Sequence, residues 1–476
     1  MEESDCRSNN NGSEEMIDRL SSLPDSLLIS ILSLLPLNSA AATSALSRRW
    51  IPLWTHLPRL IIEDGYHPTF SSDTNTSRQN FDKFITTVDH ILRQATSPKI
   101  ETFNLRFYHP DLEIDQYPIC LASLNSWVLL ICARYPANLE VSFDFYLNGL
   151  QFIPLPPCIF ETQSLVKIEL RGYFNCKLPE SGIVSLPNLK ELSLNGLDFD
   201  FQVLRTLFKS CPLLEILFLG VEFMEDEIVE ISAPNLRKLA VYMRGSSYRS
   251  IFLIDAPLLE EIDVQDCVAF YYFVKIPSNL QKARIHFWDS IFGEGSVHQT
   301  HIPELIRGIS NVNSIQLGNN IHIFDTLNRM DAANLWSLFH NLTYLCLSVS
   351  KECVNWGARI PLYLLSKLKR IDVLAIKGDD NDVCSVYYIL SLADVLEQLN
   401  ISCFANSGKG GKRQLWKEYK FCGKLFTFSR RSITSKIEFN GAYIHAFSHG
   451  PRNASSASQI DWLGPSMWPD IEEEDE

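Results

Sequence analysis

Residue types that carry catalysis are present in this chain, but not in catalytic company. Eleven histidines are dispersed, no GxSxG, HExxH, GxGxxG or Walker-type run occurs, and the adjacent carboxylates Asp379 and Asp380 fall in a GDDND stretch that reads as a solvated turn. The twelve cysteines, from Cys6 to Cys422, form no CxxC pair, and the nearest two, Cys346 and Cys353, lack zinc-ligand spacing. Placed singly, they read as small buried hydrophobes of a reduced compartment, nucleus or cytoplasm. SGKGGKR at 407–413 lacks the spacing and the GK[ST] ending of a phosphate loop. The chemistry to expect is recognition, with no catalytic residue, metal or cofactor.

The residues best suited to recognition are aliphatic. From Leu27 to Leu35, seven of nine positions are apolar, with Pro24 suited to a helix's first turn and Pro36 expected to stop it. A helix apolar on nearly every side leaves part of itself in water if it packs only on its own domain, so it needs two burials, one internal and one external. Asn38 or Ser39 can cap a second helix over AAATSALSRRW, and Ser47 to Trp54 set two basic side chains between Leu46, Trp50 and Trp54. A cysteine-free stretch of about 45 residues buries too little to stand alone, which implies docking on another protein. The run imitates a signal peptide, but Glu2, Glu3, Asp5, Glu14, Glu15 and Asp18 precede it where positive charge is required. It is also broken by Pro36 and Asn38 after about ten residues, half of what a membrane span needs.

LPDSLLISILSLLP followed by SALSRRWIPLW resembles the F-box of plant F-box proteins. That resemblance implies binding to the Skp-type adaptor of a Skp-cullin-F-box ubiquitin ligase, and through it to a cullin-RING assembly. It marks Leu23, Pro24, Leu28, Ile31, Leu32, Leu35, Pro36, Leu46, Arg48, Arg49 and Trp50 as adaptor-facing or module-forming, with Leu28, Ile31 and Leu32 expected to drive adaptor binding.

The net charge of −14 lies mostly in the tails: residues 1–15 hold five acids against Arg7, net −4, and residues 461–476 hold seven acids and no base, net −7. A near-neutral body flanked by acidic tails disfavours nucleic acid as a partner.

The second strong pattern is a repeat. A seven-residue phrase of the form (N/L/S)LxxLxL recurs at 164, 188, 213, 235, 258, 279, 311, 341, 367 and 395, with starts 21 to 32 residues apart; looser copies stand at 99 and 138. A period of 20 to 30 with LxxLxL is the leucine-rich-repeat signature, in which each phrase supplies a short strand and each unit needs its neighbours to close the core. Residues 63–80 read as a polar linker, and FDKFITTVDHILRQA from Phe81 as the first scaffold helix. Plant F-box proteins with degenerate repeats look like this. The stretch from Ile360 to Cys403 resembles the FBD-type region that closes many of them, read as a strand, the GDDND turn, a helix over YYILSLADVLEQ and a last strand. After it, nine Lys or Arg against two acids between Ala405 and Phe439 read as a solvated basic loop.

The expected fold is α/β: an acidic tail (1–15), F-box helices (16–62), an irregular leucine-rich-repeat solenoid with a parallel sheet on its concave face (81–350), an FBD-like cap (351–440) and a disordered acidic tail (441–476). The expected function is substrate reception for the ligase, with no membrane or nucleic-acid partner. An unknown target protein would be read on the concave face, above all at Phe218, Tyr242, Arg284 and His286, because aromatics and Arg dominate interface energy. The alternative from another class is an extracellular leucine-rich recognition protein without a ligase role, cleaved near Ala45 and bearing disulfides. Intact mass of the mature chain separates the two.

Overall fold

In a computed structural model, described for residues 20, 22–64, 74–107, 117–143, 153–179, 182–199, 201–221, 228–243, 250–266, 269–287, 302–318, 324, 333–349, 354–403 and 411–448, the repeat phrase becomes one ladder. In all ten copies the strand begins at the fourth residue of the phrase, from Lys167–Arg171 and Glu191–Phe199 through to Arg370–Ile376 and Gln398–Cys403. The second, fifth and seventh residues point into the core: Leu165, Ile168 and Leu170, like Leu236, Leu239 and Val241, are closed to water. Strands pair in parallel and in register, so Phe218 lies beside Ala240, Ala240 beside Asp263, and Asp263 beside Arg284. Between repeats, Asn at the first phrase position donates to a loop carbonyl of the repeat before it: Asn188 to Gln163 (2.9 Å), Asn235 to Pro212 (2.8 Å) and Asn311 to Pro277 (3.1 Å).

Repeat length decides what backs the sheet. Where successive phrases lie 21 to 23 residues apart, the outer element is a strand, Ile228–Ser232, Ile251–Asp255 or Phe270–Phe273, and these three form a small parallel sheet of their own. Longer repeats have room for helices on that side, such as Phe201–Lys209, Ile302–Gly308 and Asp380–Leu392. Phenylalanines run through the N-terminal core as a chain of rings, Phe84 to Phe107 at 4.9 Å, Phe107 to Phe143 at 5.6 Å and Phe143 to Phe174 at 6.0 Å, tying the helix Thr74–Gln94 to the repeats.

Several expectations are corrected. The ladder starts inside the F-box segment, because Arg59–Glu63 pairs in parallel with Thr102–Phe107 and stitches the F-box to the solenoid; of the stretch read as linker, 65–73 lies outside the described residues. The scaffold helix begins at Thr74, within the stretch read as linker. The copy placed at 138 belongs at 135, since Asn138 pairs with Thr102 and Lys167 at the strand's first position. The FBD-like region continues the same ladder, and GDDND is a helix start rather than a turn: Asp379 caps Asp380–Leu392 in a capping box with Asp382, and the helix ends before VLEQ. The basic segment is a helix, Gly411–Leu425, followed by the strand Lys436–Asn440; only 404–410 of that reading lies outside the described residues. The fold also outruns residue 440, because His445–Ser448 returns antiparallel on Lys436–Asn440 and closes the sheet edge. The tail readings over 1–15 and 449–476 fall outside the described residues. Among the described residues, no helix is long and apolar enough to cross a membrane, and no group of three or more His, Cys, Asp or Glu is placed to hold a metal.

Candidate partner-binding faces

The short helix Asp25–Leu32 divides its aliphatics between two sides. Leu28 and Leu32, four residues apart, are 0% and 1% exposed and join the core with Leu37, Ala40, Trp50 and Leu53. Leu27 and Ile31, also four apart, face outward, and the stripe runs on through Leu34 (80% exposed), Leu35, Leu46 (64% exposed) and Ile51. The second helix, Leu37–Ala42, starts directly after Pro36, not at an Asn38 or Ser39 cap, and tightens into a 3₁₀ turn at Thr43–Ala45.

Of the residues the motif marks, Ile31, Pro24, Leu35, Pro36, Leu46 and Arg48 lie on the surface. Leu28, Leu32 and Trp50 do not: the helical period turns them inward, where they build the module and cannot touch a partner. Leu23 is half-buried against the same core. Arg49 is a clamp, its guanidinium donating to the Asp25 carboxylate (2.6 and 2.9 Å) and the Leu23 carbonyl (2.6 Å), which holds the start of the first helix to the chain after the second. The motif reading passed over Leu27, Leu34 and Ile51; the four-residue step from Ile31 to Leu27 is the signal that would have found the first. A groove of about 720 Å³ continues this face onto the sheet edge, lined by Leu34, Leu35, Ile61, Glu63, Lys83 and Phe84.

The second face is the open side of the sheet. Phe218 and Tyr242 stack with ring centroids 4.7 Å apart. Tyr242 donates its hydroxyl to Asp263 Oδ2 (3.2 Å), and Arg284 donates to the same oxygen (2.8 Å) and to Gln316 Oε1 (3.1 Å). Two of the four residues singled out from the sequence, Tyr242 and Arg284, are therefore joined through Asp263, and Phe218 is joined to them by its stack on Tyr242. Burial and the neighbouring carboxylate push the Tyr242 hydroxyl above its ordinary range. His286 stands two residues along from Arg284, beside Gln265 and Gly318, and a Cβ at Gly318 would overlap its ring.

Around this cluster the face is self-paired. Lys167 meets Glu140 (2.6 Å) and Glu169 (3.2 Å); Arg106 meets Glu63 (3.0 Å); Asp372 takes both arms of Arg370 (3.0 and 2.9 Å), the Tyr344 hydroxyl (2.7 Å) and the Asn400 amide (2.8 Å). The hydrogen bond from Lys282, with Lys238 beside it, holds Glu261 below the usual carboxylate range. Two buried acids found by no motif lock the C-terminal part. Asp382 accepts from the Trp356 indole (2.9 Å) and from the amides of Lys377 (2.9 Å) and Gly378 (2.8 Å), a close wrap that the positive φ of Gly378 (75°) permits. Glu418, 0% exposed, accepts from the amides of Ala442 (3.0 Å), Tyr443 (3.0 Å) and Ile444 (3.1 Å).

The two parts of the chain that carry these faces match known families. The family profile of the F-box domain matches residues 20–61, and that of the LRR repeats of FBD-associated F-box protein At5g56370 matches residues 124–276. F-box/LRR-repeat protein 13 of Arabidopsis thaliana is 27% identical over 470 residues, covering 90% of this chain and 97% of the relative. The putative F-box/FBD/LRR-repeat protein At5g25850 of the same plant is 28% identical over 380 residues, 76% of this chain and 71% of the relative. A third, F-box/FBD/LRR-repeat protein At5g56420, is 30% identical over 277 residues, 56% of this chain and 60% of the relative. An F-box at residues 20–61 with outer aliphatics uncovered, and FBD-associated leucine-rich repeats at 124–276 in the ladder that starts from it, are what this chain shares with the F-box/leucine-rich-repeat proteins of Arabidopsis thaliana.

Proposed function

We propose that this chain is the substrate receptor of a Skp-cullin-F-box ubiquitin ligase in the nucleus or cytoplasm: the outer F-box stripe seats on a Skp-type adaptor, and the open face of the sheet captures a target protein. The observation that carries the reading is the division of one helix into a closed side, Leu28 and Leu32, and an uncovered side, Leu27 and Ile31, continued by Leu34, Leu35, Leu46 and Ile51. Fully burying each such side chain is worth about 1.5 to 3 kcal/mol, so the stripe can supply most of a stable docking energy. The chain itself needs no reactive group. Ubiquitin transfer would be done by other subunits, and the receptor raises the effective concentration of a target lysine near the charged carrier.

The target contact is assigned to Phe218, Tyr242, Arg284 and His286, an aromatic pair beside a guanidinium and an imidazole on a rigid sheet. Binding there orders little, whereas a flexible segment would lose freedom on binding. Co-purification of the full chain with a Skp-type adaptor tests the first half. Ile31→Asp with Leu34→Asp is expected to abolish it while circular dichroism stays that of the parent; normal adaptor binding by the folded double variant overturns the reading. Affinity purification with the ligase inhibited, followed by mass spectrometry, tests the second half. Tyr242→Ala with Arg284→Ala should lose the captured protein and keep the adaptor, and Lys412→Ser with Arg413→Ser should keep both.

A further inference from the structure

The helix Gly411–Leu425 turns its positive charge outward and its single acid inward. Lys412, Arg413, Lys420 and Lys424 are exposed and Lys417 is half-buried; Trp416 and Tyr419 stack among them at 5.5 Å, with Lys420 Nζ 5.0 Å from the Trp416 ring centre. Glu418 could have balanced them, but it is consumed by the turn Ala442–Ile444. Among the described residues the five cations meet one carboxylate, Asp380, at 2.6 Å from Lys424. A basic face interleaved with aromatics is left in a chain whose net charge is −14. That overall charge repels nucleic acid and anionic membranes, so the complementary partner is sought within the chain.

We propose that the acidic stretch 470–476 of this same chain, Asp470, Glu472, Glu473, Glu474, Asp475 and Glu476, docks on this basic, aromatic face. Charge fits: six carboxylates stand against five cations. Chemistry fits beyond charge, because Trp462, Met467, Trp468 and Ile471 accompany the acids and supply apolar contact for Trp416 and Tyr419. Reach fits as well. The last described strand ends at Ser448, in the hairpin whose turn Glu418 grips, so the tether leaves from beside the helix. Twenty-one residues lie between Ser448 and Asp470; a random-coil tether of that length would span about 25 Å, comparable to the helix's length of about 22 Å. At that tether length the effective concentration is of millimolar order, which favours the chain's own acids over dilute external anions. At physiological salt the Debye length is about 8 Å, so the attraction acts through contact pairs and fades as salt rises.

Zero-length carboxyl-to-amine coupling of the dilute full chain, read by mass spectrometry, tests the contact. Links from 470–476 to Lys412, Lys417 and Lys420 are expected at low salt and should be lost at high salt, while the Lys167–Glu140 link persists as a control for the fold. Changing Lys412, Arg413, Lys417 and Lys420 to Glu should remove the tail links, and adding Lys at the six tail acids should bring reversed links back. Coupling of the tail acids to lysines throughout the chain without preference overturns the proposal. So does equal binding of phosphatidylserine vesicles or duplex DNA by the intact chain and by a variant with its six tail acids changed to Asn and Gln, because the helix then serves an external anion whether or not the tail is present.

Discussion

The F-box stripe and the open face of the sheet both meet solvent, yet they are built by opposite rules. On the stripe, aliphatics stand uncovered, and the one charged side chain of the first helix, Asp25, is already held by Arg49; binding energy is available there without any matching polar group. On the sheet, nearly every charge already has a mate within its own repeat ladder, as in Lys167 with Glu140 and Glu169 or Arg370 with Asp372. A surface of the first kind suits a constant partner, since burying apolar area asks little of the partner's sequence. The second kind gains nothing from a generic partner, because breaking an existing pair costs about what a new one returns; it rewards a ligand that fits the aromatic pair Phe218–Tyr242 and extends the Asp263–Arg284 chain.

The sharpest way to break this contrast is at neighbouring residues of one strand. Leu217→Ala, in the closed core, should destabilise the solenoid by about 2 to 5 kcal/mol in chemical denaturation. Phe218→Ala, one residue along on the open face, should cost no more than about 1.5 kcal/mol of stacking while weakening target capture. Equal costs would mean that the open face belongs to the core and is no recognition surface.

Next in size is the buried acid of the cap. Glu418→Gln keeps shape but replaces charge-assisted bonds to three amides, and an expected loss of about 1.5 to 3 kcal/mol should appear as early unfolding of the C-terminal repeats by hydrogen exchange. Protection unchanged over residues 411–448 would show the clamp to be dispensable.

Smaller still is the charge ladder. Because Lys282 lowers the folded pKa of Glu261, the carboxylate adds stability above its ordinary titration range, and that contribution is lost as pH falls through the lowered value. Lys282 is exposed and Glu261 half-exposed, so Glu261→Gln should cost less than about 1 kcal/mol at neutral pH, and the gap to the parent should close in urea melts taken at acid pH, once the carboxylate is protonated in both folded and unfolded chains. The smallest effect is a gain: Leu213→Asn would replace an exposed leucine by the Asn that elsewhere bonds the preceding repeat, raising stability by about 0.5 kcal/mol.

Period and phrase made the solenoid legible, because a strand that must close a shared core repeats its leucines at fixed positions whatever lies between them. Two kinds of feature escaped. The outer strands at Ile228, Ile251 and Phe270 have no phrase of their own, and only the short spacing of their repeats, too tight for a helix, gives them away. The roles of Leu28, Leu32, Glu418 and Asp382 depend on direction. Composition marked the first pair as sticky and the region around Glu418 as basic, but which way a side chain points follows from the turn of its helix and from partners up to 26 residues distant. Arg49 shows the same limit: the motif includes it, and its work is internal.

The strand-backed repeats also set the shape on which a target must land. Inner strands sit about 4.8 Å apart, while packed helices need about 8 to 10 Å; a helix-backed repeat must therefore splay its outer edge, bending the sheet by about 20° per repeat over its depth of about 10 Å. Repeats backed by strands match spacing on both sides and bend little. On this spacing argument the bend is least across the strands Ile216–Val221, Lys238–Met243, Glu261–Asp266 and Lys282–Phe287, which carry Phe218, Tyr242, Asp263 and Arg284 between the helix-backed repeats of Phe201–Lys209 and Ile302–Gly308.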